Sequence, residues 1–157
     1  MASSRKSNSD PRASLQPTSA HGPGKDAYKG TSRSEIMRRV PRQRTTPERA
    51  VARFLAYHGI RFRYNVRGLP GTPDLANRRR RFAIFVHGCF WHRHPGCPKS
   101  TIPKSNRGFW LAKFAANRKR DTSRRELLTL MGYRVVTIWE CQTTPAALRK
   151  SLRALLR

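Results

Sequence analysis

Acidic residues are scarce in this chain. Eight Asp and Glu stand against 34 Lys and Arg in 157 residues, a formal net charge of +26. Charge this lopsided repels itself in any compact state and calls for a polyanionic partner. Nucleic acid fits best, because each Lys or Arg placed on a phosphate releases a condensed counterion. Long apolar runs are missing too. Nothing approaches the roughly 18 to 20 residues needed to span a bilayer, and no amphipathic stretch gathers the positive charge on one face. The first residues hold no apolar segment of the secretory kind, so a cytoplasmic protein with no membrane role is expected. Cysteine is sparse: three in the chain, an odd number that argues against a disulfide scaffold.

The chain is long enough for one domain with its own core, with room for a tail. Residues 1–32 are rich in Ser, Pro, Gly, Asn and Lys, with Leu15 and Tyr28 the large apolar side chains beyond Met1. Such a segment buries too little to offset its ordering entropy and reads as a disordered basic tail, leaving 33–157 as the folded domain. Thr45 and Glu48 have capping-box spacing around Pro47, and Val51, Phe54, Leu55 and His58 share one helical face ending at Gly59. Ile60, Phe62, Tyr64 and Val66 alternate with basic or polar residues, as in a half-buried strand. A turn at 68–73, a short strand at 74–76 and a basic hairpin connection at 77–81 precede Phe82–Val86, an apolar run suited to a strand buried on both faces. Residues 106–131 read as one long helix, or two joined near Asp121. A strand at 133–139 and a helix from Thr144 carrying Leu148, Leu152, Leu155 and Leu156 complete an α/β order. That order implies a mixed sheet of about four strands flanked by helices.

Between the fourth and fifth of these blocks lies a loop dense in metal-ligand side chains. His87, Cys89, His92, His94 and Cys97 fall within eleven residues, and Cys141 follows a buried strand. Zinc takes four nitrogen or sulfur ligands, and a short loop closed by one distant thiolate is a common structural plan. Spacing does not decide which four of the six would bind, and three unrelated buried thiols are the plainer alternative. Asp74, at the start of a strand beside this loop, reads either as a Mg²⁺ ligand or as a turn-capping carboxylate. Glu48 has the capping role available, and Asp121, Glu126 and Glu140 read as solvated ion pairs. His87 and His92 are candidate proton carriers or zinc ligands. Phe90 and Trp91, beside Cys89, either stack on bases or form a small core around the metal; Trp110, opening a helix, stacks likewise or, as its own residues favour, is buried on that helix.

Several blocks converge on one family. Arg33-Ser34 with Met37-Arg38, Thr46-Pro47-Glu48, Leu69 to Leu75 (LPGTPDL), Ile84 to His92 (IFVHGCFWH), Phe109-Trp110, and Gly132-Tyr-Arg-Val through Trp139-Glu-Cys141 resemble the very short patch repair (Vsr) DNA mismatch endonucleases. The resemblance runs from about Arg33 to the C-terminus, and its HGCFWH block is long and compositionally rare. It implies a restriction-endonuclease-like α/β fold with a structural zinc. It implies Mg²⁺-dependent nicking of one strand, 5′ to the thymine of a T:G mismatch left by deamination of 5-methylcytosine. Asp74 would hold Mg²⁺ with the backbone carbonyl of Val86, His92 would act as general base, and Glu48 and His87 would assist. Zinc would fall to Cys89, His94, Cys97 and Cys141. Phe90, Trp91 and Trp110 would enter the base stack beside the mismatch. The partners implied are mismatched double-stranded DNA and other mismatch-repair proteins, for a monomer associated with the nucleoid. Val86 stands where family members often have Thr, Pro95-Gly96 lengthens the span from His94 to Cys97, and the Glu-x-Lys of many restriction folds is missing. The competing reading is a zinc-stabilised binder of mismatched or distorted DNA without catalysis.

Overall fold

The computed structural model describes residues 43–156. The expected tail, the boundary at residue 33 and the Arg33 to Arg38 blocks lie outside the described residues. Helix α1, Thr46–Tyr57, starts on Thr45, whose side chain accepts from the Glu48 N–H, with Pro47 in the first turn. The Glu48 carboxylate does not close an ordinary capping box. It turns inward and accepts the Thr45 hydroxyl at 2.8 Å. Gly59, at φ +67°, supplies the left-handed step that ends the helix.

The sheet is four-stranded in the order β1-β2-β3-β4, with β1 Arg63–Tyr64, β2 Leu75–Asn77, β3 Phe82–His87 and β4 Arg134–Trp139. The first two pairings are antiparallel and β3–β4 is parallel, so the sheet is mixed as expected. The alternation at 60–66 predicts a longer first strand than forms. Asn65 turns to φ +46°, which leaves two ladder residues, and only the Asn65 and Val66 N–H groups continue the pairing, to Asp74 and Pro73. The long helix is one unbroken element, α2, Arg107–Leu130, and it supplies the crossover between the parallel strands. Helix α3, Pro145–Leu152, is capped by Thr144 and followed by a short 3₁₀ turn, Arg153–Leu155.

Side chains alternate across β3, so each helix finds its own face. Phe82 and Ile84, with Leu75 and Ile138, pack against Val51, Phe54 and Leu55 of α1 and against Leu148, Leu152 and Leu155. Ala83 and Ala76 meet Leu128 of α2 on the other face, flanked by Phe85 and Val135. His87 continues the Ala83–Phe85 row and therefore faces α2. The expectation of two buried faces for 82–86 holds for its first three residues; Phe85 and Val86 are half-buried, at the end where the sheet opens to the site. No helix among the described residues is long and apolar enough to cross a membrane.

Candidate active site and metal centre

The C-terminal ends of β3 and β4 lie side by side because their parallel register pairs His87 with Trp139. Two residues further along each strand come Cys89 and Cys141, so the register alone delivers two thiols to one place. The loop after β3 supplies the rest. Backbone bonds from His94 N–H to Cys89 carbonyl and from Cys97 N–H to His94 carbonyl fold it into tight turns. Cys89 Sγ then lies 3.5 Å from His94 Nδ1, Cys141 Sγ 3.3 Å from the same nitrogen, and Cys97 Sγ 3.9 Å from Cys141 Sγ. These four ligand atoms all fall within 4.8 Å of one another and could hold a metal ion. Of the six candidates in the sequence, these are the four that converge as one S₃N set. Pro95-Gly96 does not keep His94 out of the set, since Gly96 takes a left-handed turn, at φ +67°, that brings the chain back to Cys97. Burial pushes the Cys89 thiol up to about 12 in the metal-free chain, so an ion binding there displaces a proton.

His87 and His92 stay outside this set and form a second one. Their rings stack at 3.9 Å between centroids and 10° between planes. His92 Nδ1 is 2.5 Å from Asp121 Oδ2 on α2. This contradicts the reading of Asp121 as a solvated ion pair. Trp110, Phe114, Asn117, Asp121, Arg124 and Leu128 recur every three or four residues along the inward stripe of α2, all of them buried or half-buried. That periodicity was the available signal, and the surrounding Arg and Lys concealed it. Asn117, also on the stripe, donates to the Trp91 carbonyl at 2.8 Å and ties the loop to the helix. His87 is buried; burial, then the neighbouring His92, lowers its pKa to about 4, so its ring is neutral near pH 7.

Just before β2, Asp74 Oδ2 accepts the Val86 N–H of β3 at 2.7 Å. Burial raises the Asp74 carboxyl to about 6, with the Glu48 charge adding to the rise, while the Val86 bond opposes it. Glu48 itself is 5% exposed, and its Oε2 is buried with no hydrogen-bond partner among the described residues. A half-buried and a buried carboxyl group within electrostatic reach, the second carrying an orphaned oxygen, are a donor set that suits a hard cation. An open cleft of about 390 Å³, lined by His87, His92, Asp121, Arg93, Arg118 and Arg125 among others, leads to the histidine pair.

The aromatic residues form a cluster of their own rather than joining either sheet core. Phe90 meets Trp91, Trp110 and Phe114 edge-on at 5.2 to 5.4 Å. Trp110, which the family resemblance puts in a base stack and the sequence itself favours as buried on its helix, is buried at 6% exposure, whereas neighbouring Phe109 is 60% exposed. Phe90 and Trp91 are half-buried. The small core and the exposed aromatic edge are thus one assembly, and Lys113 lies over the rings of Trp91, Phe109 and Trp110.

Comparison with known proteins places the chain in one family. The family model described as DNA mismatch endonuclease Vsr matches residues 25–99. The type II nicking enzyme V.XorIIP of Xanthomonas oryzae pv. oryzae is 42% identical over 125 residues, 79% of this chain and 91% of its own. The chain belongs to the Vsr family. The type II nicking enzyme V.NmeAIP of Neisseria meningitidis is 37% identical over 133 residues, 84% of this chain and 94% of its own. The DNA mismatch endonuclease Vsr of Escherichia coli K12 is 37% identical over 116 residues, 74% of each chain. The four-stranded mixed sheet with helices on both faces is the restriction-endonuclease-like arrangement that Vsr membership implies.

Proposed function

We propose that this Vsr-family chain is a DNA endonuclease that nicks one strand of a T:G-mismatched duplex 5′ to the thymine, with Mg²⁺ as catalytic ion and zinc as structural ion. The observation that carries the chemistry is the His92–Asp121 pair in the loop that follows β3, the strand whose Val86 N–H is accepted by Asp74. Asp121 accepts Nδ1–H of His92, which fixes the ring plane and leaves Nε2 as the basic nitrogen. His92 takes a proton from the attacking water; the water oxygen bonds to phosphorus and a phosphodiester P–O bond breaks. His87, stacked on His92, holds the ring in place and fills the space behind it. Asp74, with the Val86 carbonyl, would hold Mg²⁺, which when bound polarises the phosphate and offsets charge on the leaving oxygen. Glu48 faces the same place with its unpaired Oε2.

The S₃N set of Cys89, His94, Cys97 and Cys141 suits zinc. Bonds of about 2.3 Å to sulfur and about 2.1 Å to nitrogen, at tetrahedral angles, separate sulfurs by about 3.8 Å and sulfur from nitrogen by about 3.6 Å. The contacts seen here are close to these values. The basic surface supplies affinity that falls with salt and carries no sequence information. Phe90 and Trp91 present the aromatic edge to the mismatch. For Trp110 to enter the stack it must leave Phe114, so it acts as support for that edge in the free protein. The cytoplasm, with its nucleoid, is where such a substrate lies.

A nicking assay on T:G and T:A duplexes with Mg²⁺ tests this reading. Single-strand cleavage of the T:G duplex is expected, lost in Asp74→Ala with zinc retained. Tight T:G binding without nicking in any divalent metal would replace it with the non-catalytic binder.

A further inference from the structure

Four rings form a continuous line between the S₃N cluster and the His92–Asp121 pair. The His94 ring lies on Trp139, centroids 4.2 Å apart and planes within 11°. Trp139 meets His87 edge-on at 5.5 Å and 73°. His87 stacks on His92, and His92 ends on Asp121. The line is built into the sheet: His87 and Trp139 are register partners on parallel strands, so their side chains emerge on the same face. Trp139 also forms part of the wall of the cleft that opens on His87, His92 and Asp121.

We propose that Trp139 is a positioning residue: its indole couples the metal-bound loop to the histidine pair and sets the plane in which His92 meets Asp121. The inference rests on His92 and Asp121 acting as proposed above. The stack fixes His92 only if His87 is itself fixed. Phe85, at 6.1 Å, flanks His87 on its own strand, and Trp139 closes the side toward the metal. Without the indole, His87 gains rotational freedom and His92 loses the flat surface that holds its ring plane. A hydrogen bond as short as that between His92 and Asp121 tolerates little tilt, because its strength falls steeply once donor and acceptor leave line. Trp139 supplies no ligand atom and does not take part in proton transfer, so its effect falls on turnover rather than on DNA binding.

The test compares Trp139→Leu, Trp139→Phe, His92→Ala and Asp121→Asn in the full-length, zinc-loaded protein. Zinc content and thermal denaturation report the fold. Trp139→Leu is expected to lower kcat by about 10- to 100-fold, the size expected for a catalytic group displaced by a fraction of an ångström to an ångström. KM for the T:G duplex stays unchanged, and Trp139→Phe recovers most of the rate. Proton NMR gives a readout independent of turnover. The far-downfield imidazole N–H of His92 should be present in wild type and Trp139→Phe, broadened or lost in Trp139→Leu, and absent in His92→Ala. Wild-type kcat in Trp139→Leu, with His92→Ala inactive, would overturn the positioning role and leave the base assignment standing. Loss of zinc from Trp139→Leu would also overturn it, by placing the effect in the metal cluster. Full activity in His92→Ala would instead remove the base assignment on which the inference rests.

Discussion

Replacing Asp74 with asparagine should make the Mg²⁺-free protein more stable while abolishing nicking. Burial lifts the Asp74 carboxyl from an ordinary 3.8 to about 6, with Glu48 adding to the effect. A raised pKa means that the folded state holds the proton more tightly than the unfolded chain does. Between about pH 4 and pH 6 the folded chain therefore carries the extra proton, and stability falls as pH rises through that window. Above pH 6 both states are ionised and the full penalty remains. At about 1.4 kcal/mol per tenfold, it amounts to about 3 kcal/mol near neutrality. Asparagine keeps an oxygen that can accept the Val86 N–H and introduces no charge. Denaturant unfolding of zinc-loaded, Mg²⁺-free protein should then show Asp74→Asn ahead of wild type by about 2 to 3 kcal/mol at about pH 7.5. The gap should shrink to about 1 kcal/mol at about pH 4.5. Added Mg²⁺ should raise the stability of wild type and leave the variant unmoved, since an ion that binds only the folded state stabilises it by mass action. A variant no more stable than wild type at neutral pH, or a gap that ignores pH, would refute the reasoning.

Asp121→Asn should lower kcat on the order of 10²- to 10⁴-fold with little change in T:G binding, because an amide can hold His92 in the wrong tautomer; single-turnover nicking measures it. Cys141→Ser should cut zinc content, read by metal analysis, and lower the denaturation midpoint, because Cys141 brings the end of β4 against His94 and Cys97 of the loop in the proposed zinc set. Thr45→Ala should cost about 1 to 3 kcal/mol in unfolding free energy, since it removes both the helix cap and the hydroxyl bonded to the buried Glu48 carboxylate.

Much of the scaffold was legible because its elements obey simple periods. The α1 face of Val51, Phe54 and Leu55 and the α3 stripe of Leu148, Leu152 and Leu155 form the core against one side of the sheet. From spacing the zinc-type cluster was legible as six candidates, and the family resemblance pointed to the four that converge. What brings Cys89 and Cys141 together is the register of two parallel strands far apart in sequence, which no local pattern encodes; the turns of the loop add His94 and Cys97. Glu48 shows a different limit. Cap spacing identified its backbone role correctly, yet the same spacing is silent on where the carboxylate turns, and it turns to burial.

Asp121 was missed because charge composition was applied to the wrong scale. In a chain with 34 basic residues, an acid on a basic helix looks like a local counterion. Yet a carboxylate gives up phosphate affinity wherever it sits, so each of the few acids needs a local reason to be there. The reason here is the helical phase. Phe114, Asn117, Asp121 and Arg124 share one inward stripe, and the central acid lands on the only imidazole pair among the described residues. Asp74, bonded to the Val86 N–H of β3, and Glu48 beside it differ in their surroundings: burial keeps one pKa high and leaves the other group with an unpaired oxygen. Three of the chain's eight acids are thus held around the end of one strand, inside a surface of arginines. Positive charge spread over the outside draws in any polyanion; the few acids gathered at a single strand end are where the mechanism proposed above puts the chemistry.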